Sequence, residues 1–385
     1  MQPIIAIICE YDPFHLGHKR QFQLARKQFN DAIIVCIMSG VFTQRGMPAL
    51  HSPKDRAKAA LENGADVILE LPVAYSVRDA EHFAKGAVGI AHRLGCVDYL
   101  CFGIEGELPQ LVKIANELDN PSLKYLQTFK EALSNGNSYA KAQGMALSAS
   151  LSLTPEELNR PNNILGISYL RALNWLNSSI KPLPVKREGN YHDTNLANVP
   201  YPSATAVRSA FFSGEHNLAN DACGYILPKE PICKKTSLDT VLLHILRNST
   251  VESLSLLPYC NEGLEYRLKN CAKEAISRED LLEKLKTKRY VRSRLSRLCT
   301  HALLGITQET LDKHPLPPYV RLLGFKKSSS WVLSKLSKNM PFYAKPTLVP
   351  NDEVLFQLDI KAYDLWALGA GLPQGLIFRE QTVIV

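Results

Sequence analysis

The sequence predicts an α/β fold: a Rossmann-like, doubly wound parallel sheet followed by a mainly helical C-terminal region. Short β-branched apolar runs, helix signals between them, and a change of character after about residue 212 carry this reading. The runs are Pro3–Cys9, Ala32–Ser39, Asp66–Leu71 and Val97–Phe102. They are short and largely apolar, as parallel strands buried on both faces are. Between them, Ser52-Pro53-Lys54-Asp55 opens a helix with an N-cap, a first-turn proline and a capping-box acid, and Gly64 closes it. Thr154-Pro-Glu-Glu157 repeats that form, and beyond Pro161 the residues Leu165, Tyr169, Leu173 and Leu176 share one helical face. Lys181–Arg187 reads as a further strand and Tyr201–Ala210 as the start of a helix. In an alternating chain of this kind, ligands bind at the carboxyl ends of the strands.

With 385 residues the chain is long enough for two or three domains at roughly 150 residues each. We divide it into a nucleotide-binding catalytic domain, 1–215, and a basic, mainly helical region, 216–385. In the second part Leu238–Leu246, Leu264–Ile276 and Asp280–Leu298 read as helices, interrupted by Pro315–Pro318 and Lys326–Ser330, while Val354–Ile360 and Leu376–Val385 read as strands or buried extended segments. A hydrophobic content of 45% excludes disorder, and no apolar run reaches the roughly 20 residues of a membrane span. The start of the chain reads as a first buried strand, since Glu10 and Asp12 follow at once and no basic region precedes the apolar run. Nine cysteines without a C-x-x-C pair indicate neither a zinc ribbon nor a redox dithiol, and point to a reducing cytoplasm.

Charge is unevenly divided. Residues 1–215 hold 21 Lys and Arg against 20 Asp and Glu, whereas residues 216–385 hold 24 against 17. The densest cationic stretch is Lys284, Lys286, Lys288, Arg289, Arg292, Arg294 and Arg297, with no acid between them. A polyanion partner is expected there, the stretch forming a helix face on an RNA backbone. A solvated surface helix is the plainer alternative.

The strongest chemical signal is Glu10-Tyr-Asp-Pro-Phe-His15-Leu-Gly17-His18, directly after the first strand. Two imidazoles at a strand-to-helix handover can donate hydrogen bonds to an α-phosphate, and Gly17 permits close approach of a ring or phosphate. Two capping histidines, or a pair of metal ligands, are the competing readings; no metal is assigned, because no third ligand has supporting spacing. A second signal is Tyr201-Pro-Ser203-Ala-Thr205-Ala-Val-Arg208, where hydroxyls at a helix start and an arginine one turn on can hold a triphosphate or pyrophosphate. Alone, Ser203 reads as an N-cap.

Together, His15-Leu-Gly-His18 and Ser203–Arg208 resemble the nucleotidylyltransferase superfamily with the HIGH-type motif. The blocks Ile8–His18, Met38–Ala49, Asn63–Pro72 and Pro161–Gly166 are similar, in order and spacing, to the bacterial tRNA(Met) cytidine acetate ligase family. That resemblance implies ATP-dependent activation of acetate and acetylation of N4 of the wobble cytidine of elongator tRNA(Met). It implies catalytic roles for His15 and His18. It also implies an ATP site made of Ile7, Ile8, Cys9, Glu10, Tyr11, Asp12, Pro13, Phe14, His15, Leu16, Gly17, His18, Lys19 and Arg20, completed by Gly103, Asn162, Arg187, Ser203, Thr205 and Arg208, with Mg²⁺ accompanying ATP. The family pattern usually has Asn at position 12 and often at 16; here they are Asp12 and an expected outward-facing Leu16. Ser39–Gly46, after the second strand, is expected near acetate or the cytidine, with Arg45 meeting an anion. Other readings stay open: a ligase or adenylyltransferase acting on a small metabolite, and an RNA-binding nucleotide sensor.

Overall fold

The structure, a computed structural model, describes residues 2–154, 160–186, 196, 201–287 and 290–385. Among these, β1 (Ile4–Cys9), β2 (Ile33–Ser39), β3 (Val67–Leu71), β4 (Tyr99–Ile104) and β5 (Lys181–Lys186) form a parallel core in the order β5-β4-β1-β2-β3. The register is tight at the centre, with Ile4 opposite Ile33 and Cys9 opposite Met38. Alternation places Ile4 and Ala6 in one core layer with Val35 and Val67, and Ile5, Ile7 and Cys9 in the other with Ile34 and Cys36. Both faces are therefore covered, which is why the strand sequences lack polar alternation.

From β1 the chain winds outward through β2 and β3, then returns to the other side of β1 for β4 and β5. The crevice between β1 and β4 is thus the topological switch point, where strand-end loops diverge and leave room for a ligand. The helices facing this edge begin as their caps dictate. Ser52 accepts the Asp55 N–H ahead of the helix Pro53–Glu62, and Asp79 accepts the His82 N–H ahead of Ala80–Leu94. The expected helix start at Thr154–Glu157 falls largely outside the described residues, while the helix beyond it runs Pro161–Trp175.

The second part of the chain differs from expectation in four places. Val320–Phe325 (β6) joins the same sheet antiparallel to β3, and β7 (Phe342–Tyr343) and β8 (Val383–Ile384) pair with it in parallel. Val354–Ile360 is not extended: it opens the helix Val354–Gly369. Its buried positions, Leu355, Phe356, Asp359, Ala362, Tyr363 and Trp366, recur every three or four residues, a period that a seven-residue window hides. Leu376–Val385 begins as a helical turn, Leu376–Arg379, and only Val383–Ile384 is strand. Asp280–Leu298 also divides, into the helices Arg278–Leu285 and Arg292–Leu304.

A buried polar cluster fastens this part to the sheet. Arg321 on β6 pairs with Glu70 on β3, and the Tyr363 hydroxyl donates to Glu70 at 2.7 Å. Asp359 accepts the Val73 N–H at 2.8 Å and the Tyr319 hydroxyl at 2.6 Å. Burial is the main cause that lifts the Asp359 carboxyl to about 7. All nine cysteines are free, and burial raises the Cys9, Cys101 and Cys299 thiols above their ordinary range.

Candidate active site

The site grows from the handover between β1 and the helix Leu16–Gln28. His15 is the N-cap in extended conformation, and its Nδ1 accepts the Gly17 N–H at 3.1 Å. The His15 N–H in turn donates to Nδ1 of His18 at 3.2 Å, closing a reciprocal capping box in which imidazoles replace the usual Ser and Glu. With both Nδ1 lone pairs engaged, each neutral ring carries its proton on Nε2. The rings stack with centroids 3.7 Å apart. Gly17 is required by space: a Cβ there would stand 2.9 Å from Cε1 of His15 and drive the ring off its cap. Two donors are thus held side by side by local backbone bonds.

Behind them lies an apolar wall. Tyr11 and Phe14 are buried, with ring centroids 4.8 and 5.5 Å from that of His18. Tyr11 contacts Cys36 through its hydroxyl. Ile7, Cys9, Tyr11, Pro13 and Phe14 bury their side chains in this wall. Ile8, Lys19 and Arg20 are half-buried. Leu16 is not outward-facing either. It packs against Gly224, where a Cβ would come within 2.9 Å of its Cδ2.

Asp12 is buried and fully committed. Its carboxylate accepts the Leu50 N–H at 2.7 Å and pairs with Arg208 at 3.1 Å, and Arg208 also donates to the Asp12 carbonyl. The other end of that guanidinium donates to the Thr205 hydroxyl at 3.2 Å. Ser203 acts as the N-cap of the helix Ala204–Phe212, accepting the Ala206 N–H, which is its plainer reading. The two sequence signals do meet: the Pro202 carbonyl lies 3.8 Å from the Cβ position of Gly17. Arg20 donates to the Tyr201 hydroxyl at 2.5 Å and lies over its ring, joining the first helix to this second motif.

On the other side of the switch point, Gly103 pairs with Val185 in register, so β4 and β5 end together. A polar cleft opens there, lined by Ile104, Glu105, Gly106, Arg160, Asn163 and Lys186. Glu105 is held at its rim: its carboxylate accepts from Asn162 at 2.5 Å, and its N–H donates to Asn163 at 2.9 Å. Gly103 and Asn162 thus stand at one strand edge. Arg187 lies outside the described residues.

Several pieces of this edge escape sequence reading. Arg56, 1% exposed, donates to the carbonyls of Glu10, Ser39, Gly40 and His51 and so staples the ends of β1 and β2. An arginine on the alanine-rich face of Pro53–Glu62 is the signal that could have revealed it. Glu10 accepts the Gln44 N–H at 2.5 Å, and burial raises its carboxyl. The Arg45–Gly46 loop is pinned from the second part: Arg278 and Thr300 donate to the Gly46 carbonyl, and Ser296 donates to that of Arg45. At Gly46, φ is +73° and a Cβ would lie 2.8 Å from the Arg297 Cα, so no larger residue fits.

The basic stretch is not one helix face. Lys284 lies in the last turn of the helix Arg278–Leu285 and pairs with Asp280 at 3.6 Å, and Lys286 caps that helix. Arg292 pairs with Glu279 and Glu283, acids supplied from the preceding helix. Arg294 donates to the Tyr259 carbonyl at 2.6 Å. Arg297 is buried beside the Gly46 loop, where burial lowers its affinity for a proton. Lys288 and Arg289 lie outside the described residues.

Comparison with known proteins agrees with this architecture. The HIGH Nucleotidyl Transferase family model matches residues 1–374. The tRNA(Met) cytidine acetate ligase of Acetivibrio thermocellus is 34% identical, covering 95% of this chain and 94% of its own. That of Clostridium kluyveri is 36% identical, covering 99% and 97%. The crystal structure of Thermotoga maritima TmcAL with alpha-thio ATP superposes with a TM-score of 0.87 at 27% identity, and the apo form with 0.90 at 28%, each over the full length of both chains. The chain belongs to the tRNA(Met) cytidine acetate ligase family of HIGH nucleotidyl transferases.

Proposed function

We propose that the protein joins acetate to N4 of the wobble cytidine of elongator tRNA(Met) at the expense of ATP. The observation that carries this reading is the stacked pair His15 and His18, 3.7 Å apart, at the switch point of a chain in this family. An acetate oxygen attacks the α-phosphate, acetyl-adenylate forms and pyrophosphate leaves. The Nε2–H groups of the two histidines stabilise charge building on the phosphate oxygens. Arg208 and Thr205, on one helix face beside Gly17, take the departing pyrophosphate, and Ser203 keeps that helix start in place. The ribose and adenine lie toward Gly103 and Asn162, with Arg187 expected at the same strand edge. The cytidine amine then attacks the mixed anhydride, forming the N–acetyl bond and releasing AMP and a proton. A cytosine amine is a weak nucleophile, which explains why the acyl donor must be activated.

Mg²⁺ would travel with ATP on phosphate oxygens and water, since among the described residues no three His, Cys, Asp or Glu side chains converge. No step above is routed through it. For the tRNA, the excess cations of the second part supply the platform, with Lys284 and Lys286 exposed for backbone contact and Lys288 and Arg289 in the same stretch. No helix among the described residues is long and apolar enough to cross a membrane, and work on tRNA fits the cytoplasm.

The test is incubation with ATP, labelled acetate and total tRNA, followed by nucleoside analysis. Label in N4-acetylcytidine, lost in His18→Ala, is expected. Label that stops at acetyl-adenylate would keep the activation half and discard the acceptor. ATP turnover by no carboxylate would leave a nucleotide-binding sensor.

A further inference from the structure

Among the described residues five arginines are buried, and three of them are used up inside the fold. Arg56 staples four carbonyls, Arg278 donates to Gly46, Ser296 and Thr300, and Arg321 pairs with Glu70. The other two, Arg78 at 5% and Arg297 at 8% exposure, form no ion pair among those residues. Arg297 donates no hydrogen bond among them either, and the Nε of each guanidinium is enclosed without an acceptor. Arg78 meets the Tyr259 side chain alone, lying 6.0 Å from its ring centroid.

The fold brings these two cations to one place. Arg294, Arg297 and His301 follow at intervals of three and four residues along the helix Arg292–Leu304, so they share one face. At one end of that face His301 donates to the Val77 carbonyl at 2.7 Å, next to Arg78 in the chain. At the other end Arg294 donates to the Tyr259 carbonyl at 2.6 Å, and the Tyr259 hydroxyl donates to Asp79 at 2.5 Å. Arg297 stands between the two fastenings. Tyr259 has a φ of +62°, a strained conformation for a bulky residue. Asp79 is already taken, by His82 at 2.8 Å and by Tyr259. His82, Tyr259 and Arg294 are half-buried and form the solvent edge of the group. Two buried guanidiniums beside one engaged carboxylate are costly in the protein alone, and an oxyanion accepting from their Nη groups offsets that cost.

Location selects the anion. Gln44 ties this group to the histidine site: its N–H donates to Glu10, and its side-chain amide donates to the Arg78 carbonyl at 2.6 Å. Arg78 follows β3, on the opposite flank of β1 from β4, where Gly103 and the neighbouring Asn162 are assigned to ATP. We propose that Arg78 and Arg297 form a binding site for a backbone phosphodiester of the RNA substrate, on the flank of the cleft opposite the nucleotide.

This rests on the reading of the protein as a tRNA ligase and deepens it. Binding of an unmodified tRNA(Met) transcript and of a nonhydrolysable ATP analogue is measured for wild type, Arg78→Met and Arg297→Met, beside urea unfolding. Each variant is expected to bind the transcript about tenfold more weakly, with a log–log salt slope shallower by about 0.7–0.9, and the analogue within about twofold. Each should be no less stable than wild type, because the charge removed has no carboxylate partner. Transcript affinity within about twofold of wild type overturns the site. A loss of stability with that affinity intact makes the pair framework; a raised acetate requirement for acetyl-adenylate formation with that affinity intact gives it to a carboxylate. Arg78→Lys and Arg297→Lys keep the charge without the planar fork and should lose about threefold or more; a smaller loss overturns the site even where a Met variant does not fold. Acetylcytidine formation by the wild type is followed separately. If it proceeds while the variants bind the transcript normally, only the site falls; if it is absent while they bind weakly, the site stands and the acetylation reading falls.

Discussion

The strand-one loop and the basic stretch 284–297 are both dense in functional-looking side chains, yet they use them in opposite ways. In the loop, His15 and His18 are fixed by N–H groups two and three residues away, so the local sequence carries the whole geometry. In the basic stretch, Arg292 is paired with acids 13 and 9 residues upstream, and Arg297 is packed against a loop from the other end of the chain. The difference teaches that a motif built on short-range backbone bonds can be read as chemistry. A charge run can be read only as a count until its partners are known.

If the loop is chemistry and the C-terminal helices are largely framework, substitutions should separate along that line. The largest effect is expected for His18→Ala: removing one preorganised donor to a developing oxyanion should lower acetyl-adenylate formation by about a hundredfold or more, while the lost cap on the His15 N–H costs only about 1 kcal/mol of stability. Trapping the activated acyl group with hydroxylamine measures it, and a loss below tenfold would break the comparison from the catalytic side.

On the framework side, Arg321→Met should destabilise the fold by about 3–5 kcal/mol, because Glu70 would keep a buried charge without its cation. Urea unfolding measures this. A change under 1 kcal/mol would mean that the second part is not fastened through β3.

A third test lies on the helix Arg292–Leu304 itself. His301 is buried, its Nε2–H donates to the Val77 carbonyl at 2.7 Å, and burial chiefly holds its imidazole down at about 3 against the ordinary 6.5. Below pH 6.5 the unfolded chain takes up a proton that the folded chain refuses until about pH 3, so stability is lost as pH falls through that window. Unfolding of wild type and His301→Gln at pH 7 and pH 4 should show the wild type losing more; equal losses would remove His301 from the framework.

The smallest effect is expected for Arg292→Ala, whose two ion pairs are exposed: under about 1 kcal/mol by chemical unfolding. A larger loss would sharpen the view that even the outer cations of this stretch are structural.

By itself the sequence determined the parallel core and the histidine site. Largely apolar strands, capped helices and an imidazole capping box all depend on residues within one or two turns of each other, where backbone geometry is nearly fixed by residue type. The strand-like run Val354–Ile360, the path of β6 and the engagement of Asp12 were illegible. Asp12 is set by Leu50 and Arg208, 38 and 196 residues away. Helix Val354–Gly369 owes its helical state to a buried face that recurs over 16 residues and to an Asp359 anchored on Val73 and Tyr319. Only the tertiary structure could decide which cations face a ligand and which are used up inside the fold, because pairing across hundreds of residues depends on where the sheet brings the chain together.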